Sequence, residues 1–124
     1  MSSAKHIVIV DDDEAFRYVL QHAFETAGWT TRTYEDWMGV LEYFEAGGPA
    51  DLLLADLRLP SGTPNGVSLA RMAAKRRGTL KIAFVTAHED LTPVVPAELG
   101  PVISKELPVA EIIAAADRLT SRDA

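Results

Sequence analysis

The sequence contains no cysteine, which removes disulfides and thiolate metal sites at once. No stretch approaches the roughly 18 consecutive apolar residues of a membrane span, and the N-terminus carries no signal-peptide pattern. Those two absences lead us to expect a cytoplasmic protein with no membrane association. Basic residues are in the minority, 12 Lys and Arg against 18 Asp and Glu, for a net charge of -6. With no basic stripe, direct nucleic-acid binding is not expected. The one cationic cluster, Lys75, Arg76 and Arg77, reads as the C-terminal end of a helix, where cations suit the dipole. His6, His22 and His88 have no paired spacing, so a transition-metal site is not expected either. His6 reads as a surface residue ahead of the first strand, and Trp29 and Trp37 as packing residues. Repeats, low-complexity tracts and a linker to another domain are also missing.

What is present is one domain's length of chain, 124 residues at 48% apolar, enough to enclose a real core. Residues 1–124 are therefore expected to form a single domain with no effector domain in the chain. Apolar β-branched runs alternate with helical patterns, the signature of an α/β protein with a parallel sheet. Strands are expected at Ile7–Val10, Thr30–Tyr34, Asp51–Ala55, Leu80–Thr86 and Val102–Ser104. Between them, Phe16, Val19, Leu20, Ala23, Phe24 and Ala27 recur at helical spacing after an Asp13 cap. Trp37, Val40, Leu41 and Phe44 mark a second helix behind Asp36. A third spans about Val67–Arg76, and Val109, Ile112, Ile113 and Ala116 give the last. Five strands with right-handed crossovers suggest a doubly wound sheet, for which 2-1-3-4-5 is a common order. Ligands of such sheets bind beyond the carboxyl ends of the strands, where the order reverses.

Polar residues gather at that edge. Asp11 and Asp12 end the first strand, Asp56 the third and Thr86 the fourth, and Lys105 follows the fifth directly. Clustered carboxylates destabilise one another unless a cation shares the site, and oxygen-only ligands favour a hard ion such as Mg2+. Thr86 offers a hydroxyl donor and Lys105 a compact positive charge. A carboxylate in such a setting can act as a nucleophile and form an acyl phosphate. Asp13 and Glu14, by contrast, suit the N-terminus of the following helix.

In "VDDDE", "LLLADLRLP", "FVTAH" and "VISK" the chain resembles the receiver domains of two-component response regulators, over almost its whole length. The resemblance implies a flavodoxin-like fold and a signalling phosphoacceptor rather than an enzyme proper. It implies that Asp56 takes a phosphoryl group from a phosphohistidine of a histidine kinase or histidine phosphotransfer protein. It also implies that Asp12, Asp56 and the main-chain carbonyl of Arg58 bind Mg2+ directly, with Asp11 helping through water. Thr86 and Lys105 would read the phosphate. Arg58 and His88 occupy positions that flank the attacking water in the family and would tune hydrolysis. The downstream protein is open, and so is a homodimer. Two other readings stand beside this one. The first is a non-phosphorylated receiver-like interaction module. The second is an Mg2+-dependent phosphohydrolase, against which Arg58 occupies the place of the second aspartate such enzymes use.

Four departures from the family pattern are visible. The loop "DLRLPSGTPNG" is longer than usual. The segment from Thr86 to Lys105 is shorter and contains Pro93, Pro96 and Pro101, so the usual fourth helix is expected to be one or two turns or a loop. Val102 stands at the switch position, where an aromatic is usual. Glu106 follows the lysine in place of proline, and since a cis bond there would cost about 3–4 kcal/mol, a trans peptide is expected.

Overall fold

The computed structural model describes residues 4–57, 66–76, 78–87, 95 and 97–121, with residues 66–69 described by backbone alone. In chain order the elements are β1 (His6–Val10), α1 (Glu14–Thr26), β2 (Thr30–Tyr34), α2 (Trp37–Glu45) and β3 (Leu52–Asp56). There follow α3 (Gly66–Arg76), β4 (Lys81–Thr86), β5 (Val102–Ser104) and α4 (Val109–Thr120). The strands form one parallel sheet in the expected order, β2-β1-β3-β4-β5.

The strands are in this order because their faces demand it. Every residue of Ile7–Val10 and Leu52–Ala55 is at most 1% exposed, so both strands need cover on two sides and lie centrally. β2, "TTRTY", is half exposed and forms an edge. One face of the sheet carries Val8, Val10, Leu53 and Phe84 against Trp37, Val40 and Phe44 of α2 and Ala70 and Ala73 of α3. The other carries Ile7, Ile9, Leu52 and Leu54 against Leu20 and Phe24 of α1 and Ile112 and Ala116 of α4. Helix entry follows the expected caps. The Asp13 carboxylate accepts from the Phe16 N–H at 3.2 Å, and that of Asp36 from the Gly39 N–H at 3.3 Å.

Strand limits differ from expectation by a residue. His6 is the first residue of β1 rather than a residue ahead of it: its N–H donates to the Asp51 carboxylate at 2.7 Å, and its carbonyl accepts from the Asp51 N–H at 2.8 Å. Asp51 therefore precedes β3, which runs on to include Asp56. Between β4 and β5 none of the described residues is helical, in keeping with the prolines there. Residues 88–94 and 96 of that segment lie outside the described residues. At Gly100 the chain passes so close to β4 that a Cβ would collide with the carbonyl of Ile82, with φ at +157°. Only glycine fits this approach. Among the described residues no peptide bond is cis, so Lys105–Glu106 is trans as expected. No helix there is long and apolar enough to cross a membrane.

Candidate functional site

Alternation along the strands decides which residues can meet. Ile7 and Ile9, Leu52 and Leu54, and Ile103 all face α1 and α4. Continuing the alternation carries Asp11, Asp56 and Lys105 to that same side, at the carboxyl ends of β1, β3 and β5. The three meet there. Lys105 Nζ lies 2.8 Å from Asp11 Oδ2 and 3.2 Å from Asp56 Oδ2. Asp11 is fully buried and Asp56 is 5% exposed, whereas Asp12 stands at the exposed rim. One carboxylate oxygen from each of the three aspartates lies within 4.8 Å of the others.

The strand end is fastened from several directions. Asp11 Oδ1 accepts from the Asp13 N–H at 2.8 Å, and the Asp11 carbonyl accepts from Arg17 Nη1 at 2.6 Å. The Lys105 N–H donates to the Thr86 carbonyl at 2.9 Å, holding the lysine backbone against the end of β4. Burial alone would lower the Lys105 pKa. The hydrogen bond to Asp11, the charges of Asp56 and Asp11 and the hydrogen bond to Asp56 outweigh it, and the pKa lies above the ordinary lysine value. The lysine is therefore a fixed cation at neutral pH.

Among the described residues one ammonium faces three carboxylates, two of them buried, which leaves an excess of negative charge there. Among the described residues Lys105 is the one partner of the buried Asp11 Oδ2. An all-oxygen donor set with an under-satisfied buried oxygen fits a hard divalent cation such as Mg2+.

The other expected residues divide. Thr86 is 1% exposed at the end of β4 and pairs in register with Ser104, next to Lys105. Val102 pairs with Phe84 and packs against the α2 and α3 side, away from the acids. Arg58 and His88 lie outside the described residues. Two contacts were not foreseen. The Phe16 ring centroid lies 4.7 Å from Lys105 Nζ, and Arg17 grips the Asp11 carbonyl. Helical periodicity marked Phe16 only as a packing residue. The available signal was its place in the first turn of a helix that begins at the acidic cluster.

A sequence profile of the response regulator receiver domain matches residues 7–117. The chain belongs to that family, whose members function in two-component systems, are phosphorylated by histidine kinases and characteristically bind Mg2+. Among curated relatives, it is 38% identical over 89 residues to the DNA-binding transcriptional regulator NtrC of Escherichia coli (strain K12), covering 72% of this chain and 18% of NtrC. It is 33% identical over 111 residues to the TorCAD operon transcriptional regulatory protein TorR of Escherichia coli O157:H7, covering 87% of this chain and 46% of TorR. The chain thus spans less than half the length of either. Among solved structures, a CheY-like receiver domain from Methanospirillum hungatei JF-1 superposes with a TM-score of 0.82 at 26% identity, over 94% of this chain and 93% of that one. The Thermotoga maritima regulator TrrA, solved with Mg2+-BeF, shares the fold with a TM-score of 0.81 at 23% identity, over 93% of this chain and 98% of that one.

Proposed function

We propose that this domain takes up a phosphoryl group on Asp56 from a phosphohistidine of a histidine kinase or phosphotransfer protein. It then signals through protein–protein contacts or a phosphorelay. The observation that carries this reading is the meeting of Lys105 Nζ with Asp11 Oδ2 and Asp56 Oδ2, at 2.8 and 3.2 Å, beside the exposed Asp12. Such an arrangement presents a carboxylate nucleophile next to a fixed cation at the open end of a sheet.

In the transfer a carboxylate oxygen of Asp56 attacks phosphorus. The P–N bond to the donor histidine breaks, its electron pair stays on the ring nitrogen, and the imidazole takes a proton from water. The product on Asp56 is an acyl phosphate. Lys105 stands close enough to Asp56 to neutralise charge on the transferring oxygens. Thr86 supplies a hydroxyl at the neighbouring strand end. Asp11, Asp12 and Asp56, with the carbonyl of Arg58, would hold Mg2+, which when bound offsets negative charge on the phosphoryl oxygens. Arg58 and His88 would set how fast water reaches the acyl phosphate. The reading carries with it a cytoplasmic site of action.

The test is incubation with Mg2+ and acetyl phosphate, followed by intact-protein mass spectrometry. Wild type gains one phosphoryl group, Asp56→Asn gains none, and chelation of the metal abolishes the gain. A wild type left unmodified by acetyl phosphate and by phosphorylated candidate kinases would overturn the reading in favour of a non-phosphorylated interaction module.

A further inference from the structure

We infer that Phe16 is a positioning residue for phosphoryl transfer, its ring face holding the Lys105 ammonium at the site through the steps in which the carboxylates release it. The inference rests on the reading of Asp56 given above and adds to it a part for the first turn of α1.

Among the described residues Lys105 Nζ has three partners: Asp11 Oδ2 at 2.8 Å, Asp56 Oδ2 at 3.2 Å, and the Phe16 ring with its centroid at 4.7 Å. The two carboxylates are shared property. Their oxygens belong to the same cluster of three that suits a divalent cation, and a cation there draws on the charge that now attracts the lysine. Phosphorylation goes further, because Asp56 as an acyl phosphate no longer carries a carboxylate charge and presents anionic phosphoryl oxygens in a new place instead. Both carboxylate pairs are therefore exchanged along the reaction for a pair with the phosphoryl oxygens. The attraction between an ammonium and an aromatic face depends on the ring quadrupole alone and is unaffected by either event.

The ring is also well anchored. Phe16 is partly buried against the apolar cluster of the α1 and α4 side. Its N–H is tied to the Asp13 carboxylate at 3.2 Å, and the next side chain, Arg17, grips the Asp11 carbonyl at 2.6 Å. The turn that carries the ring is thus fastened to the strand end that carries Asp11. A lysine has four rotatable bonds and much freedom to lose. Against a fixed wall its ammonium keeps one location while the anions around it change partners.

The experiment is a double-mutant cycle with wild type, Phe16→Leu, Lys105→Met and the double variant, plus Phe16→Tyr. Initial rates of modification by acetyl phosphate with Mg2+ are read by intact-mass spectrometry, and urea unfolding without donor or metal is read in parallel. Phe16→Leu is expected to slow modification about fivefold where Lys105 is present, and to leave the rate unchanged where Lys105 is methionine. Phe16→Tyr, which keeps the ring face, should stay within about twofold of wild type. In unfolding, the loss caused by Phe16→Leu should be larger with Lys105 than with methionine, which tests the contact without any phosphoryl transfer. Equal slowing in both backgrounds, a wild-type rate for Phe16→Leu, or no coupling in unfolding would overturn the inference. If wild type itself is not modified, the reading of Asp56 fails and the role in transfer falls with it, while the unfolding cycle still reports on the contact.

Discussion

The two sides of the sheet are built from the same five strands and end differently. Under α2 and α3 the packing is apolar through Val8, Val10, Leu53 and Phe84, and β4 ends there in the uncharged Thr86. Under α1 and α4 it is as apolar through Ile7, Ile9 and Leu54, and then ends in Asp11, Asp56 and Lys105. One side is organised mainly for packing, with a single buried hydroxyl, that of Thr86, at the end of β4 among the described residues. The other sets charges at the end of its core, where they lower stability unless they are compensated, and among the described residues it holds more negative charge than Lys105 can balance. Stability and chemistry are divided between the faces of a single layer of strands.

That division can be tested by substitution on each side. Phe84→Ala on the packing side should cost about 3–5 kcal/mol, measured by urea unfolding and insensitive to Mg2+. Next in size is Lys105→Met on the charged side, which leaves Asp11 and Asp56 without their cation and should cost about 3 kcal/mol in metal-free buffer. Adding Mg2+ should recover a large part of that loss. A variant whose stability ignores the metal would break the contrast between the sides. The smallest effect is expected at Trp37, 2% exposed, whose indole N–H finds no hydrogen-bond partner among the described residues. Trp37→Phe loses packing area but also a buried donor that makes no bond, and should change stability by less than about 1 kcal/mol. A loss of several times that size would mean that this face, too, depends on a polar contact.

Much of this was legible in the chain, for identifiable reasons. Ile7–Val10 and Leu52–Ala55 are buried on both faces, so they read as unbroken apolar runs, and the order of the sheet follows from their central place. Asp11, Asp12, Asp56, Thr86 and Lys105 could be grouped because all stand at the same ends of parallel strands. Asp13 separated from its neighbours because a capping aspartate has its own position relative to a helix. The joint between His6 and Asp51 was not legible. It is a reciprocal pairing across two strand starts, and neither residue has a strong strand preference. The placement of Phe16 against Lys105 was hidden for another reason. Apolar periodicity reports that a ring is inside, and is silent about whether its face meets carbon or a cation.

Gly100 has a consequence for how this fold tolerates change. The chain enters β5 pressed against the carbonyl of Ile82, where no side chain fits, and one residue later the Pro101 carbonyl accepts from the Phe84 N–H at 2.9 Å. These contacts act as an index mark on the polypeptide. Whatever length or composition the connection ahead of Gly100 has, counting starts afresh there, and the residue five places on arrives between Asp11 and Asp56. A change in the length of the connection and a fixed place for Lys105 are thereby made compatible.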